Sequence, residues 1–225
     1  MSKLYRRKSL SYGLVAVLLV LFTGCIVNLG IGVRGSGNVK TETRSVIGFS
    51  SIAFNSEGKV TIQQTGKESL TISAEDNLLP LLESRVTNRT LSIGTVNNAD
   101  IHPTKPIEFV MEVKSLEAFK MTGVGSIEAK DIQTKRLVIS MTGVGSLSIE
   151  GVADSLDLSL EGIGSYQGGE FKTKQAIVHS EGMGSAVLNV SDRLDATVSG
   201  VGSVEYIGNP KVQKSGEGLG QLKQR

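Results

Sequence analysis

The chain is poor in cysteine, tryptophan, proline and histidine: its 225 residues include one Cys, no Trp, four Pro and two His. A single cysteine, Cys25, cannot form an intramolecular disulfide, so packing and hydrogen bonding must stabilise the folded protein. Aromatic residues make up 4% of the chain, which leaves few side chains on which sugars or bases could stack. The net charge of +2 lacks the strong basic character of nucleic-acid-binding proteins. We therefore expect no nucleic-acid partner.

The N-terminus has no apolar run long enough to cross a membrane as a helix. Its apolar run at residues 14–22 is shorter than the about 20 residues that a spanning helix needs. Four basic residues precede that run: Lys3, Arg6, Arg7 and Lys8. A short apolar core behind basic residues indicates a signal peptide, which we place at residues 1–24.

The signal peptide ends in Leu21-Phe22-Thr23-Gly24-Cys25. This segment resembles the lipobox of bacterial lipoproteins, which implies that acyl chains on Cys25 anchor the mature protein. The alternative is an incidental cysteine after an ordinary signal peptide. With a lipidated Cys25, residues 25–34 are the lipidated N-terminus and a short linker. Ile26 stands where such lipoproteins carry Asp for inner-membrane retention, so the resemblance implies a lipid-anchored envelope protein of the outer membrane.

Glycine is abundant and unevenly placed. It accounts for 27 of 225 residues, above the usual share of about 7%. Much of the excess lies in a Gly-x-Gly-Ser unit at 123–126, 143–146, 162–165, 182–185 and 200–203, with a degenerate copy at 218–221. The copies are 18 to 20 residues apart, and the hexapeptide MTGVGS occurs twice. This regularity indicates an internal structural repeat.

Apolar residues alternate with polar ones on both sides of each glycine unit, as Leu137, Ile139 and Met141 do before Gly143 and as Leu147 and Ile149 do after it. Period-2 alternation predicts half-buried strands. A repeat of this length is too short for a βαβ unit, so we predict an all-β fold: a single-domain β-solenoid (parallel β-helix) with coils of about 18–20 residues. We place this domain at residues 35–210 and a polar C-terminal cap or tail at 211–225.

The first half of the domain is less regular. Its alternating segments, around Ile52, Val60, Leu70, Leu91 and Phe109, predict further coils. Residues 77–83 break the alternation, and we interpret them as a loop or a single helical turn that closes over the coils.

Several motifs together resemble a known family: the cysteine lipobox, then Gly35-Ser36-Gly37-Asn38-Val39, Gly48-Phe49-Ser50-Ser51-Ile52, Glu75-Asp76-Asn77-Leu78-Leu79-Pro80 and the stacked Gly-x-Gly units. They are similar to the putative auto-transporter adhesin head GIN domain family over about residues 35–207. In that family the unit is more often Gly-Ser-Gly-Asp, whereas here Ser follows the second Gly. The resemblance implies a β-helix domain on a secreted or lipid-anchored bacterial protein.

The glycine units do not match the common ligand-binding loops. A dinucleotide loop needs a third glycine that opens a helix, and a calcium-binding β-roll needs an Asp in every turn. Parallel β-helices also include polysaccharide-acting enzymes, but His102 and His179 have no Ser or Cys partner at motif spacing. We therefore expect no catalytic residues, no cofactor and no dedicated metal site.

One acidic pair is a candidate for weak cation binding. Glu161 and Glu181 each precede the first glycine of a unit, so stacking would place them on neighbouring coils, where like charges repel or recruit a cation. His179 lies two residues before Glu181 on the same side of its strand. The alternative is that these side chains are simply solvated.

The residue between the two glycines is apolar in every unit: Val124, Val144, Ile163, Met183 and Val201. Unbroken alternation would direct the glycines inward and these side chains outward, as an apolar stripe about 20 to 25 Å long. Such a stripe would be an interaction or self-association surface. Soluble surfaces rarely carry one, which favours the alternative that a bulge at the glycines turns these side chains into the core.

The sequence as a whole predicts a non-enzymatic envelope protein that acts as an adhesin-like binding or structural module, with envelope glycans or proteins as partners. One alternative is a polysaccharide-acting enzyme, which would need a groove with clustered carboxylates. Another is a scaffold that self-associates through an uncapped solenoid end. A capped end together with an exposed stripe would favour the binding module.

Overall fold

The computed structural model describes residues 32–217 and 219–225. The predicted signal peptide, Cys25 and most of the predicted linker lie outside these residues. The described chain is built from β-strands and two short 3₁₀ turns, Leu79–Leu81 and Val96–Asn98. No helix in this part of the chain has the length and apolar character needed to cross a bilayer.

The first ten strands are short, and their bounds are β1 Val33–Arg34, β2 Val39–Arg44, β3 Ser51–Phe54, β4 Glu57–Gln64, β5 Ser69–Glu75, β6 Leu82–Thr87, β7 Thr90–Thr95, β8 Ile101–His102, β9 Glu108–Val113 and β10 Ala118–Met121. The next four strands are much longer: β11 Val124–Met141, β12 Val144–Leu160, β13 Ile163–Ser180 and β14 Met183–Val198. The last three are short again: β15 Val201–Ile207, β16 Lys211–Ser215 and β17 Gln221–Gln224.

The long strands β11 to β14 are the coils of a β-solenoid. Each pairs in parallel with the next, and the repeat units align: Gly125 lies beside Gly145 and Gly145 beside Gly164. Each coil breaks at the glycine unit, as at Thr142 and Gly143 between β11 and β12. The structure therefore confirms the predicted β-solenoid and its repeat.

The core consists of columns of inward side chains. One column stacks Phe119, Ile139, Leu158, Val178 and Ala196, all buried. Burial of each of the larger aliphatic side chains contributes roughly 1.5–3 kcal/mol. These columns run the length of the solenoid and make its interior continuous.

The first half of the domain mixes two kinds of pairing. Strands β3, β4, β9 and β10 join the parallel stack, as predicted. Strand β5, however, runs antiparallel to both β2 and β9, and β6 runs antiparallel to β7. The prediction of a further coil is therefore wrong for β5, whereas β7, around Leu91, pairs in parallel with β3. The turn Asn88-Arg89, both at positive φ, reverses the chain between β6 and β7.

The N-terminal end of the core is covered. Leu78, Leu79 and Leu82 are buried over it, at the 3₁₀ turn that residues 77–83 were predicted to form. The neighbouring edge strand β2 is charged, and Arg44 donates hydrogen bonds to the carbonyl oxygens of Leu79 and Leu82 at 3.1 and 2.8 Å. Charged edge strands discourage pairing with other chains.

The C-terminal residues continue the stack as a polar coil. Strand β16 pairs with β14 and β17 pairs with β15. In this last coil Lys214 aligns with the buried Ala196, and Gln224 aligns with Tyr206. Polar residues thus occupy some of the inward positions at this end, as in the terminal repeats of other solenoids, while Val212 and Leu222 occupy others.

Candidate functional site

The apolar residues of the glycine units lie on the surface. Their side chains align from coil to coil and are between 47% and 56% exposed: Val124, Val144, Ile163, Met183 and Val201. We call this column the stripe. At a coil spacing of about 4.8 Å it is about 20 Å long. The favoured expectation that a bulge would bury these residues is wrong.

The glycines explain why the stripe is exposed. Gly143, Gly162, Gly164 and Gly182 line an interior space of only about 10 Å³ beside Met141, enough for about one water molecule. The period of two is kept across each unit, so that Met141 and Leu147 are both buried while Val144 between them is exposed. A Cβ atom on these glycines would overlap a carbonyl oxygen of the preceding coil, so glycine is required for the coils to stack here.

A groove runs beside the stripe. It has a volume of about 520 Å³ and is lined by Glu161, Gly162, Ile163, Glu181, Gly182, Met183, Ser199, Gly200, Val201 and Leu219. The glycines form the floor between two walls. One wall is the stripe, and the other is the column of residues that precede the glycines.

The second wall becomes acidic towards the C-terminus. Thr122 and Thr142 stand at its start, and Glu161 and Glu181 follow. The pairing of Thr197 with Ser215 and of Ser203 with Gln221 places Glu217 next to Ser199 in the same column. Sequence analysis missed Glu217, although its place before Gly218 is the same as that of Glu181 before Gly182. We call Glu161, Glu181 and Glu217 the acidic wall.

The predicted cation site is not assembled as a metal centre. His179 is exposed and aligned with Ser159 and Thr197, and Glu161 accepts a hydrogen bond from Ser159 at 3.1 Å. Within residues 32–217 and 219–225, no three His, Cys, Asp or Glu side chains are placed to hold a metal ion. Glu161, Glu181 and His179 share a side of the solenoid without converging on one point.

The N-terminal end of the stripe meets a second acidic group. Glu57 occupies the stripe position of the preceding coil, beside Val124. Burial raises the pKa of its carboxyl; His102 acts against that increase and Asp100 adds to it. A charged residue therefore terminates the apolar column at this end.

The other motifs identified in the sequence hold the fold together. Glu75 is buried and accepts hydrogen bonds from the Gly37 N–H at 2.6 Å and the Thr104 N–H at 2.8 Å. Asn77 accepts from the Ser36 N–H at 2.9 Å and donates to the Arg34 carbonyl at 2.8 Å. The segments 35–38 and 75–77 thus bind each other and fasten the N-terminal chain to β5.

The segment 48–52 is fastened in a similar way. The N–H groups of Gly48 and Phe49 donate to Glu68 at 2.9 and 3.1 Å. The hydrogen bond from Lys114 is the main reason that the pKa of the Glu68 carboxyl lies below its usual value. These motifs are therefore explained by structural roles, and the stripe with its groove remains the candidate functional surface.

Comparison with solved structures identifies the fold. A crystal structure of a putative adhesin from Bacteroides fragilis superposes with a TM-score of 0.72 at 24% identity, covering 86% of this chain and 100% of that one. A putative lipid binding protein from Parabacteroides distasonis gives a TM-score of 0.56 at 22% identity, with 86% and 99% covered. A putative adhesin from the same species gives 0.53 at 19% identity, again with 86% and 99% covered. At these identities the likeness shows a common fold.

Sequence comparison identifies the family. No curated protein matches the chain significantly. The family described as "Putative auto-transporter adhesin, head GIN domain" matches residues 48–210, which include the glycine units, the stripe and most of the acidic wall. The chain therefore belongs to this adhesin-like family.

Proposed function

We propose that this protein is a non-enzymatic binding module of the bacterial cell envelope, held at the outer membrane by acyl chains on Cys25. It contacts its partners, envelope proteins or glycans, through the stripe. The observation that carries the proposal is an exposed apolar column on the side of a solenoid whose two ends carry charged or polar residues.

The stripe supports binding because its side chains are contiguous. Single exposed apolar residues are ordinary on protein surfaces, but a continuous exposed patch indicates an interaction site. Five apolar side chains in contact with water are unfavourable in free energy, and a partner that covers them removes this unfavourable contact.

The covered ends argue against the scaffold alternative. End-to-end assembly of solenoids needs an apolar end with free strand edges. Here the N-terminal edge strand carries Lys40, Glu42 and Arg44 on its core side, and the last coil directs Lys214 inward. The side of the solenoid, with its stripe, is therefore the better candidate for contact.

The arrangement of acidic groups argues against a polysaccharide-acting enzyme. Such enzymes use a pair of carboxyl groups that flank the scissile bond from opposite sides. The acidic wall lines a single side of its groove and faces the aliphatic stripe.

The experiment compares two double variants of the full-length protein, purified in detergent, on an array of envelope glycans and purified envelope proteins. Val144→Lys/Ile163→Lys places charges in the stripe. The matched control Val152→Lys/Ile177→Lys alters two side chains of similar exposure, 47% and 45%, away from the stripe. We expect the stripe variant to lose binding at least about tenfold while the control variant binds normally.

Folding is checked by circular dichroism and thermal unfolding. Equal binding by a folded stripe variant and the unaltered protein would exclude the stripe as the contact.

The lipid anchor has a separate test. Cys25→Ser removes the only thiol, so the variant expressed in a bacterium should move from the detergent phase to the aqueous phase on Triton X-114 partition. Retention in the detergent phase would show that the membrane association does not depend on Cys25.

A further inference from the structure

The groove beside the stripe has two chemically different walls. On one side stand Ile163, Met183 and Val201, each about half exposed. On the other stand Glu161 and Glu181, with Glu217 continuing the column. The glycines between the two walls have no side chains, so the space between the walls stays open.

The acidic wall has no cationic partner within the described part of the chain. None of the ion pairs formed among residues 32–217 and 219–225 includes Glu161, Glu181 or Glu217. Some carboxylates elsewhere on the same coils are paired, such as Asp157 with Arg136 at 3.2 Å and Asp195 with Arg193 at 2.8 Å, whereas Glu150 and Glu170 are in none of these ion pairs. The negative charge of the wall is thus concentrated along one groove, where it attracts cations.

The two walls together specify the occupant. A ligand that fits must be apolar along one side and positively charged along the other. A neutral sugar chain carries no positive charge, and the groove offers no aromatic side chain for a sugar to stack on. A simple metal ion would leave the apolar wall uncovered.

We propose that the groove binds an extended polypeptide segment rich in Lys or Arg, whose basic side chains meet the acidic wall and whose apolar side chains cover the stripe. This inference rests on the proposed function and names the class of partner. In an extended chain, successive side chains point to opposite sides, which matches the two walls. The acidic wall spans three coil spacings, about 14 Å, so the part of the groove with both walls accommodates about four residues at about 3.3 Å each.

The test uses synthetic octapeptides of alternating residues and the full-length protein in detergent. The basic peptide alternates Lys with Val, and the two comparison peptides replace Lys by Ser or by Glu. Affinity is measured by fluorescence anisotropy at low and high salt. We expect the basic peptide to bind, the others to bind at least about tenfold more weakly, and high salt to weaken the binding of the basic peptide.

Two double variants test whether the charge of the acidic wall contributes to peptide binding. Glu161→Gln/Glu181→Gln removes two of its charges. Glu108→Gln/Glu170→Gln removes the same charge from exposed carboxylates outside the groove. We expect the first variant to lose affinity for the basic peptide about tenfold or more and the second to change it less than about twofold.

The outcomes separate this inference from the proposed function. If Val144→Lys/Ile163→Lys abolishes array binding while Glu161→Gln/Glu181→Gln leaves binding of the basic peptide unchanged, the stripe is a contact and the cationic partner is wrong. The same conclusion follows if the three peptides bind equally. If the stripe variant also binds the array normally, the proposed function itself fails.

Discussion

Gly164 is placed so that a Cβ atom would overlap the carbonyl oxygen of Gly145 in the preceding coil. Gly145 stands in the same relation to Gly125, and Gly184 to Gly164. Each glycine therefore allows two coils to approach at the spacing of a sheet. Such an overlap with backbone cannot be relieved by a side-chain rotation.

We expect Gly164→Ala to lower the free energy of unfolding by about 1–3 kcal/mol, because one of two coils must move. Gly169→Ala is the control, since a Cβ there would meet only side chains at ordinary distances of 3.6 and 3.8 Å, and it should stay within about 0.5 kcal/mol. Urea titration followed by circular dichroism measures both. Equal stability of the two variants would show that the coils adjust without cost.

Among residues 32–217 and 219–225, Tyr166 is the largest fully buried side chain, and its hydroxyl has no hydrogen-bond partner there. Burial raises the pKa of this phenol well above its usual value. The ring lies in a core column between Leu147 and Ala186, and a Cβ at Gly168 would overlap it. Small neighbours such as Gly168 and Ala186 leave room for the ring, but the core offers its hydroxyl no hydrogen bond.

We expect Tyr166→Phe to leave the free energy of unfolding unchanged or to raise it by up to about 1 kcal/mol, because it removes an unsatisfied buried polar group. Tyr206→Phe, at a half-buried site, provides the comparison for loss of a hydroxyl that water can reach. Thermal and urea unfolding give the two values. A loss of more than about 1 kcal/mol in Tyr166→Phe would mean that the hydroxyl is hydrogen-bonded after all.

The sequence predicts some of these residues better than others. Alternation identifies inward positions such as Ile139 and Leu158, since period 2 fixes the side on which each side chain lies. The sequence does not decide whether Val144 is exposed or buried, because this depends on whether the strand continues through Gly143 and Gly145 or forms a bulge there. The unpartnered state of the Tyr166 hydroxyl depends on neighbours in two other coils, which local pattern does not identify.

Strand β5 ends at Glu75, whose carboxyl joins three segments of the chain. Burial by itself would raise the pKa of this carboxyl, but hydrogen bonds from Thr104, Gly37 and Lys105 outweigh burial and hold the pKa below its usual value of 4.5. The ionised form is therefore favoured in the folded protein. Its contribution to stability is complete above about pH 4.5 and is lost as the pH falls through the lower pKa of the folded state.

We expect the urea midpoint to fall as the pH decreases below about 4.5, and this fall to be shallower in Glu75→Gln, which should also be less stable at neutral pH. Glu128→Gln is the control, because the pKa of Glu128 is lowered chiefly by the exposed Lys130, and exposed pairs contribute little. Urea midpoints of the unaltered protein and of both variants, measured between pH 3.5 and 7, test this expectation. Identical pH profiles for Glu75→Gln and the unaltered protein would contradict the assignment.

At the level of elements, the regular half of the chain was predictable and the first half only in part. Repeat spacing predicts β11 to β14 because each coil pairs with a copy of itself. In the first half, β5 and β9 also alternate, but alternation is the same for parallel and antiparallel strands. The turn Asn88-Arg89, which reverses the chain between β6 and β7, has no glycine to indicate that reversal.

The two ends of the solenoid are closed by different means. Buried leucines and a charged edge strand cover the first coil, and a polar coil with Lys214 directed inward completes the last. Both devices keep the molecule from pairing through its ends. The side bearing the stripe is thereby left as the surface for contact.

We expect Lys214→Val to make the protein associate at high concentration, because the last coil then presents an apolar end beside Val212. Lys211→Val is the matched control, since Lys211 aligns with the exposed Arg193 and does not point to the core. Light scattering after size exclusion, over a wide range of concentrations, detects the difference. Equal behaviour of the two variants would show that the inward lysine does not protect the end.

The aligned glycine units have a consequence for how such a protein can change in length. Because each coil meets only the coil before it and the coil after it, a duplicated coil would find the same neighbours that its template has. Insertion or deletion of one repeat would leave both end structures untouched and alter the groove by about 4.8 Å. The length of the solenoid can therefore change only in steps of one coil, about 4.8 Å each.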